Sequence, residues 1–333
     1  MSMLARRAGM NIRRFATAPP SGKAQSSTQP LVLIGLAGAM GAAFAYQFVL
    51  RTPEGAPVAA KAKPTISALD KDKFIDFKLK KVEPYNHNTD KFTFALPEDT
   101  ATLLPVASCV LIKTAPENED PNHPPLLDAK GKPYIRPYTP ISPSGQPGEV
   151  TFLIKKYETG KVTPYLFDMQ PGQTIGIKGP LLKIPYKENE LEHIGMIAGG
   201  SGITPMYQII QHALSLPNDK TKITLIFSNV SEKDILVKET LDKWAKDHKD
   251  RFKIVYTLDK GDENWKGDTG FITKDMIQKY LAPPTSDNKV KVFVCGPPGQ
   301  VASVSGPKDG MKQGELKGVL KELGYTSEQV FKF

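Results

Sequence analysis

The chain has 333 residues, 40% of them hydrophobic and 24% charged, a balance that excludes a disordered chain and leaves room for two domains. The formal charge is +9, but residues 1–50 supply five of those charges through Arg6, Arg7, Arg13, Arg14 and Lys23, with no acid before Glu54, which leaves +4 for the rest. Without a zinc-knuckle or RNP-type motif, so small an excess does not mark a nucleic-acid binder. Two cysteines, Cys109 and Cys295, exclude a disulfide scaffold and a four-cysteine zinc site, and five histidines with no H-E-x-x-H spacing point to no catalytic metal.

In chain order, residues 1–30 are Arg-containing, rich in Ser, Thr and Ala, and free of acids, the composition of a mitochondrial targeting segment. Leu31 to Leu50 carries no charge and as a helix would be about 30 Å long, so it predicts a single transmembrane helix. A secretory signal is the rival reading, but the apolar run is longer than a signal core. The expected address is the mitochondrial outer membrane, or the intermembrane space if the segment is cleaved. Residues 51–68, with Pro53, Gly55, Pro57 and Pro64, read as a linker.

From residue 69 the pattern alternates. Phe74–Leu79, Lys91–Leu96, Cys109–Lys113, Glu149–Lys155 and Gln173–Lys178 read as short strands between turn signals, which predicts a small antiparallel β-barrel over 69–184. Within it, Arg136-Pro137-Tyr138-Thr139-Pro140 joins a planar fork of donors, suited to a diphosphate, to an aromatic ring that can stack and a hydroxyl that can bond a ring nitrogen. Leu153-Ile154-Lys155-Lys156-Tyr157 follows, and then Gly160-Lys161-Val162-Thr163 opens a predicted helix. That turn presents backbone N–H groups and a cation at the positive helix end. It is no Walker loop, because the upstream glycine spacing is wrong.

Residues 185–333 alternate strands with helices, which predicts a doubly wound parallel sheet. The strand His193–Ala198 runs into Gly199-Gly200-Ser201-Gly202-Ile203-Thr204-Pro205 and a helix to about Ser215. Strands Ile223–Phe227 and Phe252–Leu258 follow, with helices over Asp234–Lys246 and Lys274–Leu281. The strand Lys291–Val294 runs into Cys295-Gly296-Pro297-Pro298. Ligands in such sheets lie beyond the carboxyl ends of the strands, where the two glycine loops and Asp259 fall.

Taken together, R-P-Y-T-P, I-K-x-Y, G-K-V-T, G-G-S-G-I-T-P and C-G-P-P resemble the NADH-cytochrome b5 reductase family of the ferredoxin-reductase-like flavoproteins, over about residues 70–333. The last five residues, Gln329–Phe333, resemble the aromatic C-terminus of its fungal mitochondrial members. The resemblance implies an FAD domain followed by an NADH domain, with hydride passing from NADH to bound FAD and single electrons then passing to cytochrome b5. It implies that Arg136, Pro137, Tyr138 and Thr139 hold the flavin, Thr139 near N5, with Leu153, Lys155, Tyr157, Gly160, Lys161, Val162, Thr163 and Thr204. It assigns the nucleotide to Gly199, Gly200, Ser201, Gly202, Cys295, Gly296, Pro297 and Pro298, with Cys295 and Thr139 at the reacting centre. Asp259 would favour NADH by accepting from ribose hydroxyls and repelling a 2′-phosphate. His87 matches a histidine near the flavin, or is simply a turn residue. The stretch Val106–Cys109 departs from the Gly-Gln-His of animal members, and Glu158 stands where an aromatic often follows the tyrosine. A monomer is expected. A reductase with a quinone or ferredoxin acceptor and a non-catalytic membrane tether on a flavin fold are the alternatives.

Overall fold

The chain is described by a computed structural model over residues 64–117 and 121–333. Its first sheet is antiparallel and has six strands: β1 (Ile75–Asn86), β2 (Thr89–Ala95), β3 (Ser108–Lys113), β4 (Ile135–Tyr138), β5 (Glu149–Lys155) and β6 (Thr174–Leu182), in the order β4-β3-β6-β1-β2-β5. Alternation decides which face is buried. Phe92 and Phe94 of β2, Val150, Phe152 and Ile154 of β5, and Ile175 and Ile177 of β6 all point into one core, where Phe94 and Phe152 meet edge to face at 6.0 Å. The short helix α1 (Val162–Phe167) sends Val162 and Leu166 into the same core.

The expected barrel is not hydrogen-bonded shut. As strands, β4 and β5 pair only inward, with β3 and β2, and the segment after β4 reaches β5 at one place, Ile141–Ser142 against Thr151, which leaves an opening beside it. R-P-Y lies within the strand β4, where Pro137 is tolerated because it lies on an edge that can lack an N–H.

The second sheet is wholly parallel. Its strands β7 (His193–Gly199), β8 (Lys222–Asn229), β9 (Phe252–Leu258), β10 (Asp268–Thr269), β11 (Val290–Cys295) and β12 (Val330–Lys332) lie in the order β10-β9-β8-β7-β11-β12. Apolar runs form these strands because both faces are covered. Ile194, Met196, Leu225, Phe227 and Phe293 face one core with the helix α2 (Ile203–Ser215). Ile197, Ile226, Val292 and Val294 face the other, with α4 (Lys274–Tyr280), α5 (Pro298–Ser305) and α6 (Gly318–Glu322). The chain steps outward from β7 to β10 and then returns to the other side of β7, so the switch point lies between β7 and β11.

The two sheets belong to one compact unit, Lys61–Phe333, and share a core: Ala107 and Leu153 of the first lobe pack with Met206, Leu236 and Val237 of the second. The main-chain N–H of Val237 donates to the Tyr85 hydroxyl at 2.8 Å, and that of Ser108 to Gln208 Oε1 at 3.1 Å.

Two expectations are corrected. No transmembrane helix is shown: among the described residues no helix is long and apolar enough to cross a membrane, and the fold they show is two sheets with their helices, while Leu31–Leu50, like the segment 1–30 and most of the linker, lies outside those residues. The helix expected from Asp234 begins instead at Lys238, as α3 (Lys238–Asp247). Asp234 sits in a 3-10 turn before it because its carboxylate is engaged by the first lobe.

Candidate active site

A cleft of about 860 Å³ opens at the gap between β4 and β5 and runs across to the switch point of the parallel sheet. That is the size of a site for a large organic ligand. One wall is Arg136, Pro137, Tyr138 and Thr139 of β4 and its continuation. A second is Leu153, Lys155 and Tyr157 with the turn Gly160–Thr163. The third, on the second lobe, is Ser201, Gly202 and Thr204 with Cys295–Pro298. Most residues singled out in the sequence are thus brought together from distant parts of the chain.

Charge states what the cleft receives. Arg136, Lys155, Lys161, Lys183 and Lys308 line it, and no Asp or Glu does so among the described residues. Of the five cations, only Lys155 is ion-paired there. The Arg136 guanidinium lies over the Tyr134 ring, 5.7 Å from its centroid, and donates to the Ile135 carbonyl at 2.8 Å, which leaves donors facing the cleft. Cations without carboxylate partners suit a ligand that brings its own negative charge, as two dinucleotides with diphosphates do.

The glycine loops show why they must be glycine. A Cβ on Gly202 would stand 2.3 Å from the Cys295 carbonyl oxygen, and one on Gly199 would stand 2.2 Å from Gln300 Oε1. The two loops touch backbone to backbone, so a ligand at the switch point meets main-chain N–H groups at the start of α2. Across the cleft mouth the Tyr157 and Ser201 hydroxyls are 2.8 Å apart and tie the lobes together.

Electrostatics separates packing groups from reactive ones. Burial pushes the Cys295 thiol up to about 12, against the nearby Lys308 ammonium, so it is a neutral wall and no nucleophile. Burial likewise raises the Tyr138 hydroxyl, and its ring packs edge to face on Phe152 at 6.3 Å.

Several residues make contacts beyond the cleft or lie outside its walls. The Lys155 ammonium donates to Asp234 at 2.9 Å across the lobe junction. Burial works to raise the Asp234 carboxyl, but hydrogen bonds from Ser231, Lys155 and Asn88 outweigh it and hold it at about 2. His87 belongs to this junction, 2.9 Å from the Asn88 amide and 3.6 Å from Asp234, and does not line the cleft. Thr163 turns its hydroxyl to the Tyr157 main chain, accepting from its N–H at 3.0 Å. Gly199 and Gly200 lie behind the cleft surface. Asp259 is exposed at the end of β9, outside the cleft walls. Conversely, Ser108, Cys109, Tyr134, Lys183, Lys308, Met311 and Phe333 line the cleft without having been singled out for it. Only the aromatic C-terminus offered a local signal.

The chain matches two family models: Oxidoreductase FAD-binding domain over residues 76–186 and Oxidoreductase NAD-binding domain over 196–305. A protein of Mycosarcoma maydis named NADH-cytochrome b5 reductase 2 is 50% identical over 276 residues, 82% of this chain and 76% of that one. The protein of the same name from Phaeosphaeria nodorum is 43% identical over 343 residues, 99% of this chain and 97% of that one. Among solved structures, the cytochrome b5 reductase domain of Ulva prolifera nitrate reductase is similar with a TM-score of 0.68 at 28% identity, covering 80% of this chain and 100% of that one. With FAD- and NAD-binding oxidoreductase domains joined around one cation-lined cleft, the chain belongs to the NADH-cytochrome b5 reductase family.

Proposed function

We propose that this chain is an FAD-dependent oxidoreductase that takes hydride from NADH and hands electrons singly to cytochrome b5. The observation that carries the reading is a cation-lined cleft with no Asp or Glu among its described lining residues, joined to two touching glycine loops at a sheet switch point, in a chain of this family. Bound FAD supplies the conversion of a two-electron donor into one-electron deliveries.

The chain's own residues supply position and charge. Arg136 and Lys161 offset a diphosphate from the first lobe. The Tyr138 ring and the Thr139 hydroxyl offer a stacking face and a hydrogen bond to the flavin ring. The N–H groups at the start of α2 receive the nucleotide. Cys295, held neutral, packs against the reacting face and keeps water out. Asp259, exposed at the end of β9, favours a dinucleotide with free ribose hydroxyls over one with a 2′-phosphate. Because one chain supplies every wall of the cleft, the same reading makes the enzyme a working monomer. It also keeps the mitochondrial address for residues 1–30, supported by their acid-free, Arg-containing composition, and import of a reporter fused to them tests it.

The test is spectroscopic. The purified chain should carry a flavin spectrum that bleaches rapidly with NADH and slowly with NADPH without oxygen. Reoxidation should be faster with cytochrome b5 than with a quinone or a ferredoxin. Preference for either of the latter reassigns the acceptor, and a colourless chain that cannot be reconstituted with FAD overturns the reading.

A further inference from the structure

Lys332, next to the last residue, is 2% exposed. Its ammonium lies within hydrogen-bond distance of four main-chain carbonyls, those of Ser305, Gly306, Pro307 and Glu315, at 3.2 to 3.4 Å, and shares its three N–H donors among them. A buried charge is costly unless its donors are satisfied, and here the loop between α5 and α6 is folded around it to satisfy them. The loop is closely packed at Gly314, where an added Cβ would stand 2.5 Å from the Pro307 carbonyl oxygen. The Lys332 main chain closes the clasp. Its N–H donates to Gln313 Oε1 at 2.7 Å, and its carbonyl accepts from Gln313 Nε2 at 3.0 Å and from Lys308 Nζ at 3.2 Å.

The part of the loop so held faces the cleft: Lys308, Gly310 and Met311 line it, beside Cys295 and Phe333. Burial and the neighbouring Lys183 ammonium pull the Lys308 pKa down. Lys308 rides on the second lobe with the two nucleotide loops, whereas Arg136 and Lys161 belong to the first.

We propose that Lys332 is a positioning residue, whose caged ammonium and main-chain carbonyl set Lys308 in the cleft as a cationic contact for the phosphates of the nicotinamide dinucleotide. The inference rests on the reductase reading above. It accounts for a buried lysine paired with carbonyls and no carboxylate, because the cage shapes a loop that itself faces the ligand.

The test uses the full-length holoprotein and NAD+, whose binding is followed by calorimetry at constant ionic strength and so without turnover. Lys308→Gln, which keeps a side-chain N–H donor for the Lys332 carbonyl, should weaken NAD+ roughly tenfold, the size of one charge-assisted phosphate contact, with flavin content unchanged. Lys332→Ala should weaken it by the same factor, and adding the change at Lys308 should weaken it no further. Ammonium chloride, but not sodium chloride, should restore NAD+ affinity to Lys332→Ala by filling the carbonyl cage. A purely structural lysine would lower thermal stability without that rescue of affinity. Unchanged NAD+ affinity in Lys308→Gln, or weakened FAD retention in its place, overturns the proposal and leaves the reductase reading standing. A parent chain with neither flavin nor NADH-dependent bleaching overturns that reading and the proposal with it.

Discussion

Replacing Asp234 by Asn should lower stability by an amount that depends on pH. The carboxylate is 5% exposed and joins the lobes, accepting from Lys155 at 2.9 Å, from Ser231 at 2.7 Å and from Asn88 at 3.2 Å. Its pKa is lowered from 3.8 to about 2. At about 1.4 kcal/mol per unit, the ionised form stabilises the fold by about 2 kcal/mol. Because the folded value is the depressed one, this contribution is fully present above pH ~4 and is lost as pH falls through ~2. Asn keeps the shape and removes the charge, leaving the Lys155 ammonium, 14% exposed, without its counter-ion. Urea denaturation of the two proteins, followed by far-UV circular dichroism, should show a gap of about 2 kcal/mol at pH 6 that closes by pH ~2. Subtracting the curves cancels the other carboxylates. A gap that stays constant over this range would refute the argument, because it would mean that the ionised carboxylate does not hold the junction.

Three further outcomes follow from the cleft. Arg136→Ala should lose FAD on gel filtration, since no other unpaired guanidinium lines the cleft among the described residues; retention of stoichiometric flavin would reject that assignment. Gly202→Ala must push the two nucleotide loops apart, because its Cβ would lie 2.3 Å from the Cys295 carbonyl oxygen. It should cost about 1–3 kcal/mol of packing and weaken NAD+ at least tenfold by titration, and unchanged binding would show that the loops yield freely. Cys295, with its thiol at about 12, should resist iodoacetamide at pH 8 over hours, and alkylation within minutes, read by mass spectrometry, would show a thiolate that burial does not suppress.

What could be read in advance was local. Gly199–Pro205 and Cys295–Pro298 announce themselves because a strand, a glycine turn and a helix start are contiguous in sequence, and the parallel sheet brings both to one switch point. Arg136–Thr139 was legible as chemistry but not as structure: its prolines hide an edge strand whose partner, β3, lies well upstream. The partner of Lys155 is 79 residues away in the other lobe, so no spacing rule connects them. The Lys332 cage depends on how a loop closes, and a lysine in a C-terminal tail reads as a solvated charge until that closure is seen. The apolar run at Leu31–Leu50 was legible only as composition, and it lies outside the described residues.

The gap between β4 and β5 has a cost beyond catalysis. Two unpaired strand edges invite pairing with another chain, which is how sheets begin to aggregate. Pro137 blunts β4 by removing an N–H from it, whereas β5, Glu149–Lys155, holds no proline and is covered at Thr151, whose N–H donates to Ser142 Oγ and whose carbonyl accepts from the Ile141 N–H. A ligand seated in the gap shields both edges, so cofactor supply during synthesis governs self-association. Cells short of riboflavin should accumulate this chain in inclusion bodies before they run short of its activity.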